Sequence, residues 1–169
     1  PDIMEKMQKE RDGTVYMLTK ETLTAKISGG AILDGATGSW LRAKGMPKGC
    51  STELWVLDHP QLLTELQRSS AEAGSQIIYA PTFQAQPLVL AAHGQDADTE
   101  KINAQLVAIS RKAAPGCLIA GDLTTLAGVC DSFDPKCVEL LVDNYRRQIR
   151  GLTDGGADLL VGETLMYPQ

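Results

Sequence analysis

Short apolar runs alternate along the chain with longer stretches whose apolar residues recur at helical spacing. The runs are residues 31–33, 76–79, 117–120 and 158–161. The helical stretches are residues 60–73, 98–114 and 135–149. Short, continuously apolar runs are typical of strands that are covered on both faces of a parallel sheet. The pattern therefore predicts about four parallel βα units joined by right-handed crossovers.

Prolines and glycines mark the ends of these elements. Pro60 and Pro135 stand where the first turn of a helix accepts proline, and Gly74 follows the end of the first predicted crossover helix. Ahead of the first strand, residues 4–11 and 20–27 predict two short helices. We therefore divide the chain into a helical lead-in, residues 1–30, and an α/β region, residues 31–169.

Four βα units in succession correspond to half of an eight-stranded (β/α)8 TIM barrel. A complete barrel usually takes about 250 residues. This chain has 169 and stops just after its fourth apolar run. We expect the amino-terminal half of such a barrel, with open strand edges and an exposed apolar interior that favour a homo-oligomer.

Composition excludes several classes of partner. The net charge is -5, the isoelectric point is about 5.0 and no basic tract occurs, so nucleic acid is not an expected partner. No apolar run approaches the roughly 20 residues that cross a bilayer, and no charged-then-apolar leader opens the chain. We expect a soluble, cytoplasmic protein without membrane contact.

The four cysteines do not form a metal-binding pattern. Cys50, Cys117, Cys130 and Cys137 include no C-x-x-C pair and have no neighbouring histidines. A chain of this composition more often keeps its thiols reduced. We expect four free thiols and no metal site made wholly within these residues.

Polar residues that follow the predicted strands supply the candidate chemistry. In a parallel sheet the strands' carboxyl ends share one edge, which would bring Asp34, Thr82, Asp122 and Glu163 together. Three of these four are acidic, and an acidic rim favours a substrate with a positive group, such as the ammonium of an amino acid. Gly35 lets a ligand approach the backbone beside Asp34 closely.

Two other classes of function fit the same residues. The chain could be a non-catalytic module that grips an amino acid or a partner chain. It could also be a different barrel enzyme, a lyase or isomerase using Asp34 and Glu163 as acid and base. Enzymes of the latter kind would be marked by a lysine at a strand end, and the predicted strand ends carry none.

Several short segments of the sequence resemble the homocysteine S-methyltransferase family, both in their residues and in their order and spacing along the chain. That family includes the homocysteine-binding module of cobalamin-dependent methionine synthase and betaine-homocysteine methyltransferase. The similarity extends from about residue 20 to residue 166. The matching pieces are residues 32–38, 49–50, 53–54, 59–60, 73–78, 82–83 and 155–164.

The resemblance implies a barrel that binds homocysteine and uses zinc to convert its thiol into a thiolate that attacks a methyl group. The methyl donor differs among members: methylcobalamin recharged from methyltetrahydrofolate, betaine, or a sulfonium. Asp34, Gly35 and Glu163 would hold the amino-acid end of homocysteine, and Thr82 and Phe83 would line the pocket. Together with Asp122, which matches an acid after the third strand, the implied substrate-binding residues are Asp34, Gly35, Thr82, Phe83, Asp122 and Glu163.

The chain also departs from the family pattern. In the family, three cysteines from the later strands hold the zinc, and none of the four cysteines here matches one of those positions. We therefore expect no catalytic residue and no metal ligand within this chain, and no turnover by the chain alone. A substrate other than homocysteine, either another thiol or a quaternary amine, stays open.

Overall fold

A computed structural model describes residues 19–126 and 135–165 of the protein. Within those residues, three parallel strands form one sheet in the order β1-β2-β3. The strands are β1 (Ile77–Ala80), β2 (Leu118–Thr124) and β3 (Leu159–Glu163). The α-helices are α1 (Lys20–Ile27), α2 (Thr37–Ala43), α3 (Thr52–Asp58), α4 (Pro60–Glu72), α5 (Pro87–Leu90), α6 (Thr99–Ala113) and α7 (Pro135–Asp154). The fold class is α/β, and the sheet is not closed into a barrel in this part of the chain.

The helices expected from apolar spacing are present. Helix α1 has the predicted bounds and begins at Thr19, whose hydroxyl accepts a hydrogen bond from the backbone N–H of Thr22. Helices α6 and α7 are the crossovers between neighbouring strands, and α4 connects residues 31–33 to β1. The helix predicted over residues 4–11 lies outside the described residues. Helices α2 and α3 were not predicted, since each has only seven residues.

The prediction of a first strand at residues 31–33 is wrong. This segment forms one isolated parallel bridge, between Leu33 and Ile77, rather than a strand. It does run beside β1, because Gln76 and Ile77 both donate to the carbonyl of Ile32. Ile32 and Leu33 are 62% and 47% exposed. A three-residue segment with its side chains this open gains too little from burial to extend its pairing.

The two faces of the sheet bury different clusters. On the helix-covered face, Ile78 and Ile119 pack with Val107 of α6 and Leu152 of α7. On the opposite face, Leu118 and other residues contact partly buried side chains from α1, β1 and β3. Alternate residues of a strand point to the same side, so Asp122 shares this second face with Leu118.

Helix α7 buries an unexpectedly polar stripe. Its buried residues are Cys137, Asn144, Gln148, Gly151 and Leu152. Val138 and Val142, which belong to the helical spacing in the sequence, are 44% and 47% exposed. At Gly151 the helix touches α6 so closely that a Cβ atom would lie 2.6 Å from the carbonyl oxygen of Glu100. The contact between α6 and α7 therefore requires glycine at position 151.

The expectation of four free thiols is wrong, as Cys137 shows. Cys137 is disulfide-bonded, whereas Cys50 and Cys117 carry free thiols. Cys130 lies outside the described residues. Composition cannot reveal such a bond, because it depends on which residues the fold brings together. No helix in the described part of the chain is long and apolar enough to cross a membrane.

Candidate functional site

The carboxyl ends of the strands gather acidic side chains at one edge of the sheet. Asp34 is the first of them and directly follows Leu33, the residue that forms the isolated bridge to β1. Its backbone N–H donates to Ile77, and its Oδ1 accepts a hydrogen bond of 3.1 Å from the backbone N–H of Tyr79. Burial raises the pKa of Asp34 to about 6, and the charge of Glu163 adds to the rise, while the bond from Tyr79 opposes it.

Asp122 is the second acid and the most deeply buried of the three. It lies within β2, which runs beyond the predicted end at residue 120, and it is 6% exposed. Its Oδ1 has no hydrogen-bond partner among the described residues. Burial raises its pKa to about 7, helped by the charges of Glu163, Asp34 and Glu53. Near neutral pH this carboxyl therefore exists in both protonation states.

Glu163 is the third acid and the last residue of β3. Its charge raises the pKa of both Asp34 and Asp122, and it also helps to raise that of Tyr79. The next residue, Thr164, has a positive φ of 51°, an unusual conformation for a branched residue. Its hydroxyl lies 2.7 Å from that of Thr124, which ties the ends of β2 and β3 together. The predicted convergence of the three acids is thus present in the structure.

The other candidate residues have different surroundings. Thr82 is fully buried, and its hydroxyl both donates to the carbonyl of Asp122 and accepts from its N–H, at 2.9 Å each. Thr82 therefore holds the loop after β1 to β2, and its hydroxyl is already engaged. Phe83 beside it is half-buried. Gly35 is exposed, and a Cβ at that position would meet nothing within 4 Å.

Glu53 is a fourth acid that the sequence did not mark as a site residue. It is 3% exposed on α3, and its two oxygens accept from the Gln84 backbone N–H at 2.9 Å and from the Ser51 hydroxyl at 2.8 Å. Its charge contributes to the raised pKa of Asp122. The available signal was its place among the pieces that resemble the family, since an isolated Glu in a helix otherwise predicts a solvated side chain.

Positive side chains do not balance these acids in the described part of the protein. The ion pairs that the structure describes use other carboxylates: Glu65, Asp98, Asp158, Asp143 and Glu100. Over residues 19–126 and 135–165 there is also no group of three or more His, Cys, Asp or Glu side chains that could hold a metal ion. The carboxyls at this edge of the sheet are therefore without an ion-pair partner in the part of the chain that the structure describes.

These features define a class: a parallel α/β protein with acidic groups gathered at the ends of its strands. The sequence profile of the homocysteine S-methyltransferase family matches residues 31–169. The chain belongs to this family. A curated relative, the homocysteine S-methyltransferase of Escherichia coli (strain K12), is 31% identical over 155 residues, covering 79% of this chain and 49% of the relative.

Solved structures of a homocysteine methyltransferase also match this chain. The metallated form of the homocysteine methyltransferase MmuM from Escherichia coli matches with a TM-score of 0.71 and 29% identity, over 85% of this chain and 57% of that one. The oxidized form of MmuM matches with a TM-score of 0.66 and 30% identity, over 77% and 51%. The chain thus spans about half the length of these relatives.

Proposed function

We propose that this chain is the homocysteine-holding part of a homocysteine S-methyltransferase and that its acidic edge binds the amino-acid end of the substrate. The observation that carries the proposal is the convergence of Asp34, Asp122 and Glu163 without a positive partner among the described residues. An ammonium group would supply the missing positive charge. Family membership then selects homocysteine from the amino acids that could provide it.

The three carboxyls would divide this task according to their surroundings. Asp34 is oriented by the N–H of Tyr79, which leaves its other oxygen for the ligand. Glu163 lies on the last residue of its strand and faces the same region. Asp122 would lose its proton when the ammonium arrives, because a nearby positive charge lowers the pKa of a carboxyl. Binding would therefore release a proton near neutral pH.

The rest of the catalytic apparatus would lie in other parts of the full protein. We infer that the three strands belong to a (β/α)8 barrel of which this chain is the amino-terminal half, since it covers about half of its relatives. The described residues do not supply a ligand set for the zinc that the resemblance implies. When bound, zinc would keep the substrate's sulfur as a thiolate. Nothing in the described residues selects the methyl donor, whether cobalamin-bound, folate-derived or another.

Calorimetry with L-homocysteine tests the substrate assignment. Asp34→Asn and Glu163→Gln should each weaken binding about 10- to 100-fold, the usual effect of removing one charged hydrogen-bonding partner. Asp143→Asn is a matched control, because Asp143 lies on α7 in an exposed pair with Arg146. The deaminated analogue 4-mercaptobutyrate should bind wild-type protein weakly and be insensitive to these substitutions. Equal affinity of all variants for homocysteine would refute the proposal.

A non-catalytic amino-acid-binding module is a second candidate. It is favoured by one observation: the acidic edge is complete within the described residues and needs no metal to attract an ammonium. Calorimetry of the same protein with and without zinc separates the candidates. Tight binding that zinc does not change would favour the module, and tightening by zinc in the full-length protein would favour the methyltransferase.

A further inference from the structure

Gln148 connects the buried face of α7 to the acidic edge. Its side chain is completely buried, and its Nε2 donates to the backbone carbonyl of Thr82 at 2.7 Å. The same nitrogen lies 3.5 Å from the carbonyl oxygen of Asp122. A buried amide in the layer between helix and sheet is unfavourable unless it forms hydrogen bonds, and here they reach the loop that carries Thr82 and the strand that carries Asp122.

Thr82 extends this connection to Asp122. Its hydroxyl binds both the N–H and the C=O of Asp122 at 2.9 Å, so these two backbone groups are held by one side chain from a neighbouring strand's loop. Gln148, Thr82 and Asp122 are 0%, 0% and 6% exposed. The three residues therefore form a continuous, buried series of hydrogen bonds from the helix layer to the strand that carries Asp122.

We propose that Gln148 is a positioning residue: through Thr82 it fixes the backbone at Asp122 so that the carboxyl stays buried and faces the ligand. This inference rests on the proposed function, in which Asp122 contacts the substrate's ammonium. The hydrogen bonds that the structure describes for Gln148 go to backbone carbonyls, and none of them reaches the side chain of an acid. It acts on the site through the loop after β1.

The surroundings of Asp122 explain what loosening this series would do. The ionisable groups that influence its carboxyl are Glu163 on β3, Asp34 beside β1 and Glu53 on α3. The negative charges of all three raise the pKa of Asp122, and burial raises it more than they do. A strand end that moves toward water would relieve burial first, so the pKa of Asp122 would fall toward its ordinary value.

Helix α7 offers a matched control one turn away from Gln148. Asn144 is 2% exposed and uses its amide on helix α5, where its Oδ1 accepts from the backbone N–H of Leu88 at 2.9 Å. It has no described hydrogen bond to Thr82 or Asp122. Gln148→Met and Asn144→Leu each remove one buried amide while keeping a similar shape, so both should lower stability without sharing an effect on the site.

The decisive measurement is the titration of Asp122 in ligand-free protein, followed by carboxyl-carbon NMR, with L-homocysteine affinity as a second readout. Gln148→Met should lower the Asp122 midpoint by about one pH unit or more and weaken binding about tenfold. Asn144→Leu should leave both unchanged. An unchanged midpoint in Gln148→Met, or an equal change in Asn144→Leu, would overturn the inference.

Two variants of Thr82 provide an independent test if Gln148→Met does not fold. Thr82→Val breaks the next link and should lower the Asp122 midpoint in the same way, whereas Thr82→Ser keeps the hydroxyl and should preserve it. A wild-type midpoint in Thr82→Val would contradict the inference. If wild-type protein does not bind homocysteine, the proposed function fails, and the midpoints still decide whether Gln148 positions Asp122.

Discussion

Asp122→Asn should make the protein more stable at pH 8. The carboxyl is 6% exposed and has an oxygen without a hydrogen-bond partner among the described residues. Its pKa is raised from 3.8 to about 7 by burial and by neighbouring negative charges. A rise of that size corresponds to about 4 kcal/mol between the two protonation states. Because asparagine must also be accommodated, we expect a gain of about 2 to 4 kcal/mol in the free energy of unfolding.

The gain should depend on pH in a defined direction. The folded-state pKa lies above the unfolded one, so between pH 3.8 and about 7 the folded protein holds a proton that the unfolded chain has lost. Stability from this group is therefore fully present below pH 3.8 and is lost as the pH rises through 7. Asp122→Asn should be close to wild type at pH 4 and more stable at pH 8.

Urea unfolding followed by circular dichroism at pH 4, 6 and 8 measures this difference. Asp143→Asn serves as the control, because removing a surface carboxylate from an exposed pair changes stability by less than about 1 kcal/mol. A variant that is no more stable than wild type at pH 8 would show that the fold compensates the Asp122 charge. The account of an uncompensated acidic edge would then be wrong.

Three further predictions concern ligand binding, packing and assembly. The affinity for L-homocysteine, measured by calorimetry, should fall between pH 8 and pH 5 because both acids take up a proton. Protonation of Asp34, whose pKa is about 6, should lower the affinity about tenfold, and protonation of Asp122, whose pKa is about 7, about a hundredfold. An affinity that does not change with pH would contradict this. Gly151→Ala should destabilise the protein by about 2 to 4 kcal/mol in urea unfolding, because its Cβ would lie 2.6 Å from a carbonyl oxygen of α6. Sedimentation should show a dimer or larger assembly, since Leu160 and Leu165 are 40% and 51% exposed near β3; a stable monomer at micromolar concentration would refute it.

Apolar periodicity was sufficient for much of the fold. It predicted helices α1, α4, α6 and α7, because each combines helical spacing with end signals at proline or glycine. It failed at residues 31–33, where the run is apolar but lies beside β1 with Ile32 62% exposed. Strand pairing depends on neighbours that are distant in sequence, which an apolar run alone does not specify.

Some residues of the candidate site could likewise be predicted from the sequence, and others could not. Asp34, Asp122 and Glu163 could be predicted to converge because the carboxyl ends of parallel strands share an edge. Glu53 and Gln148 could not, since polar residues within helices are normally solvated and both are buried here by hydrogen bonds to distant loops. That Thr82 lines a pocket stays a prediction, and no pattern in the sequence indicated that its hydroxyl is bonded to the backbone of Asp122.

Stability and recognition at the acidic edge have one physical origin. Glu163 and burial make ionised Asp34 and Asp122 unfavourable in the free protein, and the same field attracts a small cation. The proposed ammonium ligand would supply the positive charge that the described side chains do not. Removing an acid should therefore strengthen the fold while weakening the complex, and this opposition distinguishes a binding site from a structural carboxyl, whose removal would weaken both.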